Sequence, residues 1–151
     1  MNNRQRGGFT IIELIITVTI VALLASIAVP KFRDIRRRAT AAQIMGDFDV
    51  MRHAAMSFYV DSQYFPAEAS AGELPDNLAK YLPTGFEMKK PEWEMDYENW
   101  PVLGPGVSKT DRIVGLSFTT ADTALGQTAM KLIGNAPGYS VGTKYTFLIS
   151  F

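Results

Sequence analysis

Apolar and polar residues follow two different patterns along the chain, and the patterns meet near Pro30. From Phe9 to Val29 the side chains are apolar or small, with the single charged exception of Glu13. A helix of these 21 residues would be about 31 Å long, which matches the hydrocarbon thickness of a bilayer. The first pattern therefore predicts a membrane-spanning helix.

Beyond Pro30 the apolar residues recur at steps of three and four as far as about Asp61. This spacing places them on one face of an amphipathic helix, which would continue the first one. Proline removes one helical hydrogen bond and clashes with the preceding turn, so we expect a kink at Pro30. The apolar positions of this second half are Phe32, Ile35, Ala39, Ala42, Met45, Phe48, Met51, Ala55, Phe58 and Tyr59.

Residues 62–151 have the short, mixed patterns of a small globular head. Residues 63–85 contain three prolines and predict an irregular connection with one short helix over 75–82. Residues 92–100 alternate acidic with large apolar side chains, which indicates a half-buried strand. We expect its apolar residues to point inward and Glu92, Glu94, Asp96 and Glu98 to point outward.

The rest of the head predicts a turn at 103–106, a strand, a helix and a final strand. Residues 112–119 form the strand, with Gly115 as a possible bulge. A helix is predicted over 121–133, with Asp122 as its N-cap and Gly134-Asn135 as its stop, and residues 139–151 form the last strand. The fold class is therefore α+β, with a long N-terminal helix packed against a small antiparallel sheet of three or four strands.

Charge is distributed unevenly along the chain. Residues 31–60 carry six basic and three acidic side chains, whereas residues 61–151 carry seven basic and eleven acidic ones. We call the basic cluster after Pro30 the basic neck, and we expect it to lie beside acidic head surface or phospholipid headgroups. The basic neck comprises Lys31, Arg33, Arg36, Arg37 and Arg38.

The head offers few candidates for chemistry. There is no cysteine, and His53 is the only histidine. The acidic residues of the strand at 92–100 lack the loop spacing of a calcium site. We therefore predict no enzyme activity, no cofactor, no metal site and no nucleic acid partner.

Glu13 is the residue that the membrane pattern leaves unexplained. A carboxylate inside an apolar span costs about 2.5–3.5 kcal/mol on insertion scales, so such groups usually find a partner. The span is also longer than the apolar region of a secretory signal peptide, which has about 7–15 residues. A different role for this N-terminal segment is needed.

The segment around Glu13 resembles the class III signal of type IV pilins and type II secretion pseudopilins. The resemblance rests on a short leader that ends in Gly8, then Phe9 and Thr10, with Glu13 as the fifth residue counted from Phe9. It implies that prepilin peptidase cleaves between Gly8 and Phe9 and that Phe9 is N-methylated. It also implies that Glu13 pairs with the amino terminus of a neighbouring subunit, while Pro30 matches the helix bend of many members.

The resemblance implies a structural filament subunit. Residues 1–8 would be the cleaved leader, 9–30 the transmembrane and assembly helix, 31–61 its amphipathic continuation and 62–151 the head. The implied partners are identical or homologous subunits, prepilin peptidase, the membrane and an inner-membrane assembly platform with its ATPase. The subunit would wait in the bacterial inner membrane, with its head periplasmic or external, before entering a pilus or a periplasmic pseudopilus.

Three questions stay open from the sequence. The basic neck outnumbers Arg4 and Arg6, so the positive-inside rule alone would place the head in the cytoplasm, and the more specific leader motif argues for the opposite side. The chain could also be a monomeric membrane-anchored binding module, in which Phe9 is never a terminus. The sequence does not distinguish a pilus subunit from a pseudopilus subunit.

Overall fold

A computed structural model of the chain describes residues 8–102, 112–134 and 137–150. It contains two α-helices, one 3-10 helix and one four-stranded sheet within these ranges. The predicted α+β architecture is confirmed. In chain order the elements are α1 (Ile11–Ser62), the 3-10 helix (Ala79–Tyr81), β1 (Glu94–Pro101), β2 (Arg112–Thr119), α2 (Thr123–Ile133), β3 (Gly138–Val141) and β4 (Lys144–Ser150).

The chain divides into two compact units between Arg36, the last residue of the first unit, and Arg37, the first residue of the second. The described part of the first unit is chiefly the N-terminal portion of α1. Its most apolar 18-residue window has a mean hydropathy of 2.6, and none of that window is buried within the chain. Length and composition thus make this helix able to cross a membrane. Pro30 lies inside α1, which is helical on both sides of it, and the kink remains a prediction.

Three hydroxyl groups of this apolar segment bond to the helix that carries them. Thr17 Oγ1 donates to the carbonyl of Leu14 at 2.8 Å, and Thr19 Oγ1 donates to the carbonyl of Ile15 at 2.7 Å. Ser26 Oγ donates to the carbonyl of Leu23 at 2.7 Å. An unpaired polar group is costly in lipid, so these bonds make the polar side chains compatible with a membrane span.

The second unit contains an antiparallel sheet with the strand order β1-β2-β4-β3. The register of β2 against β4 shifts between Val114 and Gly115, which confirms the predicted bulge. A Cβ atom on Gly115 would lie 2.9 Å from the carbonyl oxygen of Phe147 and 3.2 Å from the ring of Trp100. Glycine is therefore required where β2 lies close to its neighbours.

The core of the second unit lies between one face of this sheet and the helices. The second half of α1 supplies a buried stripe, of which Phe48, Met51, Ala55 and Phe58 were predicted. Before Phe48 the prediction was wrong, because Ala41 and Ile44 are buried there while Ala39 and Ala42 are exposed. The rings of Phe48 and Phe147 meet edge to face at a centroid distance of 5.2 Å. Burial of such side chains contributes about 1.5–3 kcal/mol each, so this stripe attaches α1 to the sheet.

The chain reverses direction directly after α1. Gln63 has a φ of 63° and its backbone N–H donates to the carbonyl of Tyr59 at 2.8 Å, which closes the helix. Phe65 stacks on Tyr59 at a centroid distance of 4.6 Å. The carbonyl of Pro66 accepts a hydrogen bond from the Asn99 side chain at 2.5 Å. These contacts hold the connection along the edge of β1.

Two elements differ from the sequence expectations. The helix predicted over 75–82 is only the 3-10 helix at Ala79–Tyr81, and it ends at Leu82, which is extended as a residue before a proline prefers to be. The single strand expected over 139–151 is two strands, β3 and β4, joined at Gly142, which has a φ of 60°. Phe151 and the turn predicted at 103–106 lie outside the described residues.

The outer face of β1 also differs from its expectation. Glu98 was predicted to be exposed, but its relative exposure is 4%. Its carboxylate accepts a hydrogen bond from Ser117 Oγ at 2.8 Å and forms an ion pair with Lys144, which also contacts Asp96 at 2.9 Å. Alternation along β1 correctly placed Glu98 on the outer face of the strand. It could not show that polar side chains of β2 and β4 cover Glu98 on that face.

Candidate functional site

The predicted processing and assembly residues lie at the beginning of α1. Gly8 and Phe9 precede the first helical residue, and the Phe9 side chain is 86% exposed. Glu13 lies in the first turn of α1. Two of the predicted functions, cleavage and assembly, therefore belong to one short stretch of accessible chain, whereas Pro30 lies farther along the helix.

Glu13 and Thr10 form a reciprocal pair of hydrogen bonds across the first turn. The backbone N–H of Thr10 donates to Glu13 Oε2 at 2.9 Å, and Thr10 Oγ1 donates to the same oxygen at 2.7 Å. In return, the backbone N–H of Glu13 donates to Thr10 Oγ1 at 3.3 Å. This arrangement is a capping box, which satisfies backbone donors that a helix N-terminus otherwise leaves unpaired.

The capping box gives Glu13 a partner within its own chain. The sequence expectation placed the partner of the carboxylate on a neighbouring subunit and assigned no role to Thr10. The signal for the intrachain partner was present, because a threonine followed three residues later by a glutamate is the pattern of a capping box. Sequence reasoning used Thr10 as part of the leader motif but missed its role as the cap of α1.

The rest of the N-terminal segment presents apolar side chains outward on every side of the helix. Exposures range from 47% at Val29 to 80% at Ile11. A patch of this size on a single helix marks a surface that contacts lipid or another protein. The residues concerned are Ile11, Ile12, Leu14, Ile15, Ile16, Val18, Ile20, Val21, Leu23, Leu24, Ile27 and Val29.

In the second unit, one residue of the basic neck is paired with the start of α2. Arg37 Nε contacts Asp122 Oδ2 at 3.2 Å. Asp122 also caps α2, since its Oδ1 accepts from the backbone N–H groups of Ala124 and Leu125 at 2.9 and 3.1 Å. Partial burial raises the pKa of Asp122, but the hydrogen bonds from Leu125, Arg37 and Ala124 outweigh it and hold the pKa below its ordinary value.

A hollow in the second unit has a volume of about 580 Å³ and is lined by residues 66–70 and 73–77, among them Glu68, Glu73 and Asp76. Within the part of the chain that the structure describes, no group of three or more histidine, aspartate or glutamate side chains is arranged to hold a metal ion.

Comparison with known proteins points to the N-terminal segment. The family model for the prokaryotic N-terminal methylation motif matches residues 3–29. This range contains Gly8, Phe9, Thr10 and Glu13, the residues on which the sequence resemblance rests. No solved structure matches the chain.

The relatives are proteins of secretion systems and pili. A type II secretion system core protein G from Klebsiella pneumoniae is 27% identical over 112 residues, which cover 68% of this chain and 77% of the relative. The type IV major pilin protein PilE of Neisseria gonorrhoeae is 34% identical over 81 residues, which cover 53% of this chain and 48% of that protein. A fimbrial protein of Pseudomonas aeruginosa is 32% identical over 67 residues, or 44% of each chain.

The two kinds of match agree with each other. The chain has a prepilin-type motif at its N-terminus, and it is similar both to type II secretion core proteins and to type IV pilins. The resemblance predicted from the sequence is confirmed. The capping box, the exposed apolar helix and the motif all belong to the same stretch of chain.

Proposed function

We propose that this chain is a structural subunit, a pilin or a pseudopilin, of a type IV pilus-like or type II secretion filament. The observation that carries the proposal is the position of Glu13, a single carboxylate in an exposed apolar helix that matches the methylation motif. The motif and the apolar helix also support anchoring in a membrane. The proposal assigns the chain a structural role and no catalytic one.

Processing would divide the chain into four parts. Residues 1–8 are the leader that prepilin peptidase removes, and residues 9–30 are the transmembrane and assembly helix. Residues 31–61 continue that helix, and residues 62–151 form the head. Cleavage between Gly8 and Phe9 is supported by the exposure of both residues ahead of α1, which leaves the peptide bond accessible.

Assembly would exchange the lipid contacts of the apolar helix for contacts with the helices of other subunits. N-methylation of the new Phe9 terminus retains a positive charge beside the capping box. The ammonium of a neighbouring subunit then competes with Thr10 for the Glu13 carboxylate. Pairing the two charges lowers the cost of burying both of them in an apolar filament core.

The remaining partners and the compartments belong to the same proposal. An assembly platform with its ATPase would supply the work of extracting the subunit, because the chain itself has no nucleotide-binding motif. Before assembly the subunit would reside in the bacterial inner membrane with its head periplasmic or external. After assembly it would be part of an extracellular pilus or a periplasmic pseudopilus.

Substitutions of Glu13 and Thr10 separate the capping role from the charge-pairing role. Glu13→Gln keeps a side-chain oxygen for the capping box but removes the charge, whereas Glu13→Ala removes both. We expect both variants to insert and to be cleaved. Their filament yield should fall at least about tenfold, because a hydrogen bond to a charged group is lost. The readouts are the mass of the processed subunit and the amount of filament recovered.

Thr10→Val is the matched control, because it removes the capping hydroxyl and leaves the Glu13 charge in place. We expect its filament yield to stay close to that of the unaltered chain. Normal assembly of Glu13→Gln, together with failure of Glu13→Ala and Thr10→Val, would show that Glu13 acts only as a helix cap. Normal assembly of all three variants would favour the monomeric membrane-anchored binding module.

A further inference from the structure

We propose that Lys31 and Arg33, the first two residues of the basic neck, bind anionic phospholipid headgroups while the subunit resides in the membrane. The inference rests on the membrane span of the proposed function, and it is independent of polymerisation. The partner is a lipid surface that carries phosphate groups. Four properties support it. They are the distance of the two cations beyond the end of the span, the sides of the helix from which they project, their exposure, and the charges around them.

The height of the two cations along α1 matches the headgroup layer. The apolar span ends at Val29, so Lys31 and Arg33 lie two and four residues beyond it. At about 1.5 Å per residue, their Cα atoms are roughly 3 and 6 Å past the end of the hydrocarbon region. The headgroup layer on each side of a bilayer is about 5–8 Å thick. Both side chains therefore reach phosphate oxygens.

The two cations leave the helix on nearly opposite sides. Successive residues of an α-helix are rotated by about 100°, so Lys31 and Arg33 are about 200° apart. A single protein partner that packs on one face of α1 would meet one of them and miss the other. Lipid headgroups surround a membrane-spanning helix on all sides, so they can meet both cations at the same time.

The side chains around the two cations have the mixed character of a membrane interface. Lys31 and Arg33 are both exposed. Between and beyond them, Phe32 is 68% exposed and Ile35 is 58% exposed. Apolar and aromatic groups beside lysine and arginine are typical of the boundary between hydrocarbon and water, where the stems of the cations also contact apolar material.

The other charges of the same region do not cancel this arrangement. Asp34 and Arg36 each have an interaction of their own, and the proposal does not depend on either of them. In the second unit, Arg37 is paired with Asp122 at 3.2 Å. Lys31 and Arg33 are the neck cations nearest the end of the span, and the proposal assigns these two to lipid.

Headgroup binding would also explain why the chain carries so many cations after its span. The proposed function places this end of the helix outside the cytoplasm, where the positive-inside rule alone would not expect them, so the cations need another role. Contacts with anionic lipid would hold the helix at a fixed depth until an assembly machine extracts it, and the contacts would be lost on extraction. Near an anionic membrane surface, each lysine or arginine of a basic segment strengthens membrane binding about fivefold.

The lipids retained by the full-length chain provide the test. The protein is placed in nanodiscs that contain equal amounts of phosphatidylglycerol and phosphatidylcholine, and native mass spectrometry counts the lipids that leave with it. We expect the unaltered chain to retain several-fold more phosphatidylglycerol. The Lys31→Gln/Arg33→Gln variant should lose most of this preference. A salt concentration of about 1 M should lower the preference of the unaltered chain, because it screens the charges.

Lys89→Gln/Lys131→Gln is the matched control, because it removes the same charge from exposed lysines of the head. It should retain the preference for phosphatidylglycerol. An unchanged preference in Lys31→Gln/Arg33→Gln would overturn the proposal, as would equal losses in both double variants. If that neck variant kept the lipid preference and lost only filament yield, the two cations would bind a neighbouring subunit, and the lipid proposal would be wrong. The lipid ratio can be measured whether or not Glu13 variants assemble.

Discussion

Two glycines on the α-helices lie in very different surroundings. A Cβ atom added to Gly126 of α2 would lie 2.1 Å from Cζ of Tyr145, which no side chain can occupy without displacing the ring. A Cβ atom added to Gly46 of α1 would have no atom within 4 Å. Gly126 therefore allows α2 to approach β4, whereas Gly46 has no such role within the described chain.

Alanine at these two positions should have opposite effects. Gly126→Ala forces the Tyr145 ring to move and should lower the free energy of unfolding by about 1–3 kcal/mol. Gly46→Ala removes backbone freedom from the unfolded chain and should raise it by up to about 1 kcal/mol. Thermal unfolding of the full-length chain in detergent measures both changes. Shifts of the same sign would contradict this account of the α2–β4 contact.

Lys144 neutralises two carboxylates on the outer face of the sheet. Partial burial lowers the pKa of Lys144, but the hydrogen bonds to Glu98 and Asp96 outweigh it and raise that pKa above its ordinary value of 10.5. The stabilisation is therefore fully present below pH 10.5 and is lost as the pH rises through the folded value. Burial raises the pKa of Asp96, and the hydrogen bond from Lys144 only partly offsets that effect.

Lys144→Met should leave the buried Glu98 carboxylate without its cation. We expect a loss of about 2 kcal/mol in the free energy of unfolding at neutral pH. The value is below that of a fully buried pair, because the Lys144 side chain is 41% exposed. Lys144→Met/Glu98→Gln should recover part of the loss, as urea unfolding can show. No recovery in the double variant would mean that the Lys144 stem, not its charge, stabilises the sheet.

At the scale of elements, α2 depends on one residue at its start. Asp122 accepts hydrogen bonds from the backbone N–H groups of Ala124 and Leu125, and it also contacts Arg37. The helix ends at Gly134, which has a φ of 69°. The sequence identified both ends, because an aspartate N-cap and a glycine stop are local signals. The Arg37 contact joins residues 85 apart, and no local pattern contains it.

Substitutions of Asp122 distinguish its cap from its ion pair. Asp122→Ala removes both and should lower the free energy of unfolding by about 1–2 kcal/mol. Asp122→Asn keeps a good cap and should cost less at neutral pH, because an exposed ion pair contributes little. Since the pKa of Asp122 is lowered, its charge stabilises the fold above pH 3.8, and that contribution is lost as the pH falls through the folded value. Asp122→Asn should therefore show a weaker loss of stability in acid, and an unchanged acid profile would contradict the assignment.

Local signals predicted the elements well except where a turn interrupts a uniform pattern. The predicted range of β2, 112–119, is confirmed, and α2 lies between its aspartate cap and its glycine stop. The hairpin between β3 and β4 was missed because Gly142 lies inside a run that is rich in strand-forming residues. A glycine with positive φ ends a strand by its backbone geometry, which composition does not reveal.

At the scale of the whole molecule, the two units of the chain were predictable to different degrees. The span follows from hydropathy, and the motif residues Gly8, Phe9 and Glu13 follow from a resemblance carried by consecutive residues. The burial of Glu98 depends on β2 and β4, which are distant in sequence. Contacts of that kind form only in the assembled sheet, and no local pattern of residues contains them.

The most direct measurement of the central claim is the mass of the N-terminal peptide. Protein is recovered from the membrane fraction and from the sheared surface fraction of the native cells, and its N-terminal peptides are identified by mass spectrometry. The account predicts a peptide that begins at N-methylated Phe9, present both in membranes and in a filament fraction. A chain that retains Met1 and occurs only in membranes would contradict the account, because an unprocessed subunit has no free amino group at Phe9 to pair with Glu13.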